Sequence, residues 1–398
     1  MDEQKRITLA LVLSALILGG YYLLFAKPIQ EQARKQAQIE MAAQKEQQAA
    51  ITEAIKPKPR EELIHQGARI NIDTPSMKGS FLTTGSRFDD LTMKKYKKTI
   101  EPDSPGVTLL TPEGAEKAAY VLDNWTGVDG GTGADTPWTL VSGTTLTPDT
   151  PVVLEYTADN YTVRRTVSVD DRYLITLADK VTNTSDKEIS LVRKGTARQH
   201  DLPDELTGFF IIQEGPIAVV DDKLVDMKYT KLAKKRRLTT EGKAGWVGLT
   251  DRYWLTAAIA PQGPQMTADF RFRNLNGHDV YEAAYKLEPT TLSPGVSIES
   301  VGYIYAGAKA RDMLAKYMDE KGISRLDLAI DYGLLGILTK PMSWGLTKLG
   351  KMTGNFGVAI LLMTLILKII LFPLNNKSYS SMAKMKLVQP KIKKLQKR

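Results

Sequence analysis

The segment Phe356–Leu374, FGVAILLMTLILKIILFPL, constrains this chain more than any other feature. It carries one charge, Lys368. As a helix it would reach about 28 Å, close to the thickness of the bilayer core. A core helix of a soluble domain is the competing reading, but few such helices are apolar on every face for this length. A second stretch, Ile7–Ala26, is of similar length and carries no charge. Lys5 and Arg6 precede it, and Tyr21 and Tyr22 lie near its far end, where an aromatic belt would sit. A cleaved signal peptide would have a shorter apolar run ending in a small-x-small site, and Leu24-Phe25-Ala26 offers none. Both stretches are therefore read as transmembrane helices, over 7–26 and 356–374.

Charge orients them. The chain has 54 basic and 45 acidic residues, a net +9. Residues 375–398 hold Lys377, Lys384, Lys386, Lys391, Lys393, Lys394, Lys397 and Arg398 with no acid. Nearly all of the net charge therefore lies in this tail, and the rest of the chain is close to neutral. The positive-inside rule places the tail in the cytoplasm. Two spans then return residues 1–6 to the cytoplasm and leave everything between the spans outside. The flanks of the first span do not decide its direction, because Lys27, Arg34, Lys35 and Lys45 balance Lys5 and Arg6. The chain has no cysteine, which excludes disulfides, thiolate metal sites, iron–sulfur clusters, a cysteine nucleophile and a lipoprotein acyl anchor.

Residues 27–60 read as a tether. Positions 30–50 contain seven Gln and six Ala, a helix-favouring mixture with no broad apolar face, before Lys56-Pro57-Lys58-Pro59 breaks any helix. From about Arg69 to Ser300 the texture changes to short runs of alternating apolar and polar residues, such as Tyr161–Val169 and Tyr173–Leu177. Turns such as Asp129-Gly130-Gly131 and Asn276-Gly277 separate them. This pattern predicts a mainly β fold, one large sandwich or barrel, and the domain is drawn over 61–325 with a short C-terminal helix ended by Gly322. Residues 326–350 mix Leu and Trp344 with lysines and meet Lys340-Pro341 too soon to span, which suits an amphipathic helix at the membrane surface. A helix capping the β domain is the competing reading.

Catalytic chemistry has little support. His65, His200 and His278 are far apart and match no metal spacing, and no P-loop, Rossmann or G-x-S-x-G motif occurs. His200 with Asp201, Asp204 and Glu205 allows a carbohydrate-binding or sugar-modifying β domain as an alternative, though a polar loop explains the same residues. No cofactor is implied. Lys368 is the sharper candidate. It lies about 9 Å from the cytoplasmic end of its helix, within reach of snorkelling, yet ionisable residues inside spans mark polar pathways; the residues alone leave the two readings level. Thr364 shares its face by the i, i+4 rule. In the tail, Met382, Met385, Val388, Ile392 and Leu395 form a helical seam with lysines on other faces. Anionic lipid, a helical partner and ribosomal RNA are all consistent with it.

Taken together, these residues resemble a known family. Ser380–Lys391, SSMAKMKLVQPK, after Phe372-Pro-Leu374 is similar to the start of the YidC-type membrane protein insertase domain. Leu326–Gly333 resembles the family's interfacial helix. Gly245–Trp254 (GWVGLTDRYW), Thr74–Ser80 and Arg87–Leu91 (RFDDL) resemble its periplasmic domain in Gram-negative bacteria. The resemblance covers nearly the whole chain. It implies a periplasmic β-supersandwich similar to galactose-mutarotase-like folds, and a non-enzymatic insertase that inserts and folds nascent inner-membrane proteins, alone or with the Sec translocon. It implies location in the bacterial inner membrane. By their charge alone, the tail lysines Lys384, Lys386, Lys391, Lys393 and Lys394 allow anionic lipid and the ribosome as cytoplasmic contacts. The resemblance also implies a substrate groove in which Lys368 stands where the family usually has Arg, with Thr364 as a polar neighbour. Lysine keeps the charge but lacks the planar fork. Family members continue through a hairpin and four more spans, so the sequence is expected to be a fragment ending in the first arm of that hairpin.

Overall fold

The structure, a computed structural model, describes residues 57–127, 130–203, 206, 212–275, 277–333 and 336–395, with side chains on the last helix to residue 385. The first span expected over 7–26, residues 1–6 and the tether to residue 56 lie outside them.

Alternation of burial along short strands generates the β domain. In Tyr161–Val169, residues 161, 163, 165, 167 and 169 are buried and those between them are not, the period of two that sets one face of a strand against a core. Such strands form two sheets. One runs in the order Arg237–Lys243, Gln265–Leu275, His278–Leu287, Ile189–His200, Ala119–Gly127, Arg87–Lys97, Met77–Leu82, Arg69–Asp73, Thr145–Leu146, with three short strands beside this path. The other runs Lys223–Asp226, Gly215–Val220, Gly245–Thr250, Trp254–Ile259, Ser297–Ala308, Leu174–Asn183, Tyr161–Val169, Val152–Thr157, Thr139–Ser142. The path pairings are antiparallel except that of Asn71-Ile72 with Thr145-Leu146. The inner faces share one apolar core that includes Phe81, Phe88, Trp125, Trp246, Leu255 and Ile304. The mainly β architecture and the apolar C-terminal helix both agree with the sequence pattern.

A cluster of four charges lies between the sheets. Arg165 grips Asp179 with two parallel bonds, Nε to Oδ1 and Nη2 to Oδ2, both 2.8 Å, and reaches Asp123 Oδ1 at 3.0 Å from the facing sheet. Arg193 donates to Asp123 at 2.9 Å and to the carbonyl and hydroxyl oxygens of Ser300 at 2.8 and 2.9 Å. Trp125 donates to Asp179 at 2.8 Å, and the Tyr285 hydroxyl donates to Asp123. Burial alone would raise the Asp179 pKa, but the two guanidiniums beside it more than offset that and hold it below the usual carboxylate value. Gly302 makes room for this cluster, since a Cβ there would stand 2.8 Å from Arg193 Nη2.

The GWVGLTDRYW segment ties the domain to the helices beyond it. The buried Trp246 indole donates to the Ser324 carbonyl at 3.0 Å. Helix Arg311–Lys321 ends at Gly322, which takes the left-handed conformation (φ 64°) that a helix stop favours. The stretch expected as one amphipathic helix over 326–350 is two elements, a 3-10 turn at Leu326–Ala329 and a helix over Gly336–Thr353. Gly333, at φ 64°, lies in the break between them. The long helix Phe356–Leu395 then runs 40 residues, about 60 Å. Its backbone stays helical through Pro373. The proline withdraws the N–H that would have met the Ile369 carbonyl, and its ring crowds that carbonyl.

Candidate functional site

The apolar helix starts where its sequence supplies a cap. Asn355 Oδ1 accepts the amide hydrogen of Gly357 at 2.8 Å and that of Val358 at 3.3 Å, satisfying donors that a helix N-terminus leaves open. Gly354 (φ 67°) turns the chain back on the preceding helix. The two helices meet at small residues: a Cβ on Gly345 would stand 2.6 Å from the Met363 methyl, and one on Gly350 would stand 2.9 Å from the Phe356 ring. Here the glycines leave room for the long helix's side chains, and small residues are enriched where helices meet in lipid.

The rest of the helix is uncovered. Over Phe356–Met385 it is long and apolar enough to cross a bilayer, with almost none of its most apolar window buried in the protein. Leu361, Ile369, Phe372 and Leu374 are 71%, 64%, 68% and 65% exposed. An apolar surface this long and continuous is not stable in water. Lys368 and Thr364 are both exposed on it, one turn apart. The Thr364 hydroxyl donates to the Ile360 carbonyl at 2.8 Å, so the side chain adds no unsatisfied donor to the apolar face. Lys368 makes no ion pair or hydrogen bond among the described residues. The structure thus puts a self-satisfied hydroxyl beside a cation without a partner in the described chain. Lys384 is farther along the same helix and is also exposed. The side chains of Lys386, Lys391, Lys393 and Lys394 lie outside the described ones.

The alternative site around His200 does not assemble. His200 is half-buried against Tyr120, with ring centroids 5.9 Å apart. Burial pushes its pKa below the usual imidazole value, and Arg198 and His278 add to this against the pull of Glu113. Asp201 turns away to His278, Oδ2 to Nδ1 at 2.7 Å. Asp204 and Glu205 lie outside the described residues. A nearby cleft of about 350 Å³ includes Glu116, Arg198, Gln199, Asp251 and Trp254, and no histidine is among its described lining residues. Among the described residues, no group of three or more His, Asp or Glu side chains is placed to hold a metal.

The inner charges do not stand out in the sequence, although one signal is present. Arg165 shares its parity with Tyr161, Val163, Val167 and Val169, so it belongs to the buried face of its strand.

Comparison with known proteins agrees with this anatomy. A family model described as the YidC periplasmic domain matches residues 69–345, and one described as the 60Kd inner membrane protein matches residues 348–398. A membrane protein insertase YidC from Maricaulis maris (strain MCS10) is 39% identical over 408 residues, covering 100% of this chain and 69% of its own. One from Brucella suis biovar 1 (strain 1330) is 36% identical over 426 residues, covering 98% and 70%. Among solved structures, a galactose mutarotase related enzyme from Lactobacillus acidophilus aligns over 60% of this chain and 97% of its own, at 12% identity and a TM-score of 0.38, too low to carry an argument. The match of both family models along the chain, and identity sustained over its whole length, establish that this chain belongs to the YidC family of membrane protein insertases.

Proposed function

We propose that this chain acts in the insertion and folding of inner-membrane proteins, as a non-enzymatic insertase, with Lys368 and Thr364 facing the substrate's path. The observation that carries the reading is Lys368 itself. It is a cation on an otherwise apolar helix, without an internal partner among the described residues. A charge so placed is costly in lipid and is kept where water or a polar ligand meets it. Lysine supplies a compact point charge, suited to attracting acidic or polar segments of an entering chain without fixing their geometry.

The eight cations of 375–398 support a cytoplasmic tail, and with the apolar segment 7–26 as a first span they support an external β domain and a cytoplasmic N-terminus. The domain order is then 1–6 cytoplasmic, 7–26 spanning, 27–60 a tether, 61–325 the periplasmic β domain, 326–350 the interfacial region, 356–374 spanning, and 375–398 the basic cytoplasmic helix. Lys384, Lys386, Lys391, Lys393 and Lys394 would meet anionic lipid or the ribosome there, and the Sec translocon is a further partner in the same reading.

The test is insertion of a single-span substrate, followed by protease protection in cells depleted of the protein and supplied with variants. Lys368→Arg is expected to insert as the wild type does, Lys368→Ala to slow insertion, and Lys368→Glu to stop it. Unimpaired insertion with Lys368→Glu removes this residue from the mechanism.

A further inference from the structure

The strand Arg87–Lys97 leaves the sandwich part-way along its length. Its residues to Met93 are largely buried and Lys94–Lys97 are exposed. The chain returns in Gly106–Leu110, antiparallel to it, and in the connection Ile100 is fully exposed. Lys94 is engaged by Asp73. Lys95, Lys97 and Lys98 make no ion pair among the described residues. Tyr96 meets Trp254 edge-on, ring centroids 5.1 Å apart, and so joins this hairpin to the turn that bears Arg252 and Tyr253. Both of those are exposed, with the guanidinium 5.0 Å over the Tyr253 ring. Asp89 and Asp90 lie in the buried part of the strand, and the exposed acids Glu101 and Asp103 lie in the connection itself, just after Ile100.

A cleft of about 590 Å³ separates hairpin and turn, and Ile330 and Asp331 form part of its wall. The helix Gly336–Thr353 begins shortly after Asp331, so at most about 18 Å of chain separates this wall of the cleft from the helix. That helix exposes Ile337, Leu338 and Trp344, the apolar side of a helix lying among headgroups. The patch therefore sits at the end of the domain nearest the membrane. It combines cations, a tyrosine and a projecting isoleucine, the mixture that meets phosphate on one side and acyl chains on the other. A short leash also gives it a high effective concentration at the lipid surface.

We propose that Lys95, Lys97, Lys98 and Arg252, with Tyr253 and Ile100, dock the β domain on the anionic phospholipid headgroups of the adjoining leaflet. The proposal rests on reading Gly336–Thr353 as interfacial. Docking restricts the tilt of the domain and holds its cleft mouth at the lipid surface.

The chain has no cysteine, so single-cysteine labels report one position each. The full chain would be placed in nanodiscs of phosphatidylcholine, with or without added phosphatidylglycerol, and carry a fluorophore at Ile100→Cys, Ile337→Cys or Asp186→Cys. Asp186 is exposed in the turn after Leu174–Asn183, at the far end of strands that run roughly 30 Å. Quenching by headgroup-attached nitroxide is the readout. Ile100→Cys is expected to be quenched as Ile337→Cys is when phosphatidylglycerol is present, and Asp186→Cys to stay unquenched. Joint Lys95→Glu, Lys97→Glu and Lys98→Glu substitution should drop the Ile100→Cys signal to the Asp186→Cys level and leave the Ile337→Cys signal in place. Omitting phosphatidylglycerol should do the same without any substitution. An Ile100→Cys label unquenched beside a quenched Ile337→Cys label overturns the proposal and spares the interfacial reading, and it is also the outcome if the patch serves an acidic protein segment. Failure at both positions overturns both. Quenching at Ile100→Cys that ignores lipid charge and the lysine reversal overturns the electrostatic docking.

Discussion

The interior of the β sandwich and the face of the long helix both carry charge on an apolar surface, and they treat it in opposite ways. Inside the sandwich, Arg165 and Arg193 are matched by Asp123 and Asp179, and each guanidinium finds several acceptors within the fold. On the helix, Lys368 has no such partner among the described residues. A charge that must stay buried in protein is paired internally, because an uncompensated one loses its hydration with nothing in return. A charge left without an internal partner is available to something that comes from outside. The same distinction separates a structural cluster from a candidate working residue, even though the cluster has the more elaborate geometry.

The most severe challenge to this contrast is to unpair the cluster. Asp179→Asn leaves Arg165 and Arg193 short of a counter-charge and should destabilise the β domain by about 3–5 kcal/mol in denaturant unfolding. Acid titration probes the same groups. The folded Asp179 pKa is depressed, as is that of Glu282, where burial raises it but Arg198 and Arg273 lower it further. The unfolded chain therefore binds more protons as pH falls below the ordinary carboxylate value, about 4. Stability contributed by these groups is fully present above that value and is lost as pH falls through the depressed folded values. Asp179→Asn should flatten that acid slope relative to the wild type.

Lys368→Leu makes the opposite change on the helix. Removing a lone charge should ease insertion of this helix by at most about 3 kcal/mol, the translocon-scale figure for a helix centre, read from the fraction of the segment that integrates in a membrane-integration assay. The same variant should insert substrates poorly if Lys368 faces their path. Gain in one measurement with loss in the other would separate the residue from the buried cluster, where stability and charge fall together. The smallest effect is expected from Gly302→Ala. The added methyl crowds Arg193 without deleting a charge and should cost about 1–3 kcal/mol in the same unfolding experiment.

Legibility in the sequence follows the same divide. The apolar run 356–374 and the cations after it are properties of consecutive residues, and they bring Lys368 and Thr364 forward directly. The strand pattern of Tyr161–Val169 is equally plain, and its parity places Arg165 inside and Arg164 outside, where Arg164 meets Glu155 at 3.2 Å. Its bidentate partner Asp179 stands directly opposite on the next strand, but the bridge across the sandwich is not legible, since Asp123 lies 42 positions away and on the other sheet. The exposed lysines of 95–98 are no more distinctive. A strand that stops alternating and turns basic looks like any solvated edge until Trp254 and the approach to residue 336 are brought beside it.

Neighbours along the chain are enough to specify the mainly β character, the apolar segment at 356–374, the cationic end and the family. Each depends on the composition or order of adjacent residues, which propensity and hydropathy read locally. Folding was needed to close four charges on one another between two sheets, to break 326–350 at Gly333, and to set a basic hairpin beside the chain's path toward the long apolar helix. Those facts depend on strand register and on contacts between distant segments, where the identity of a residue counts for less than what the fold sets against it.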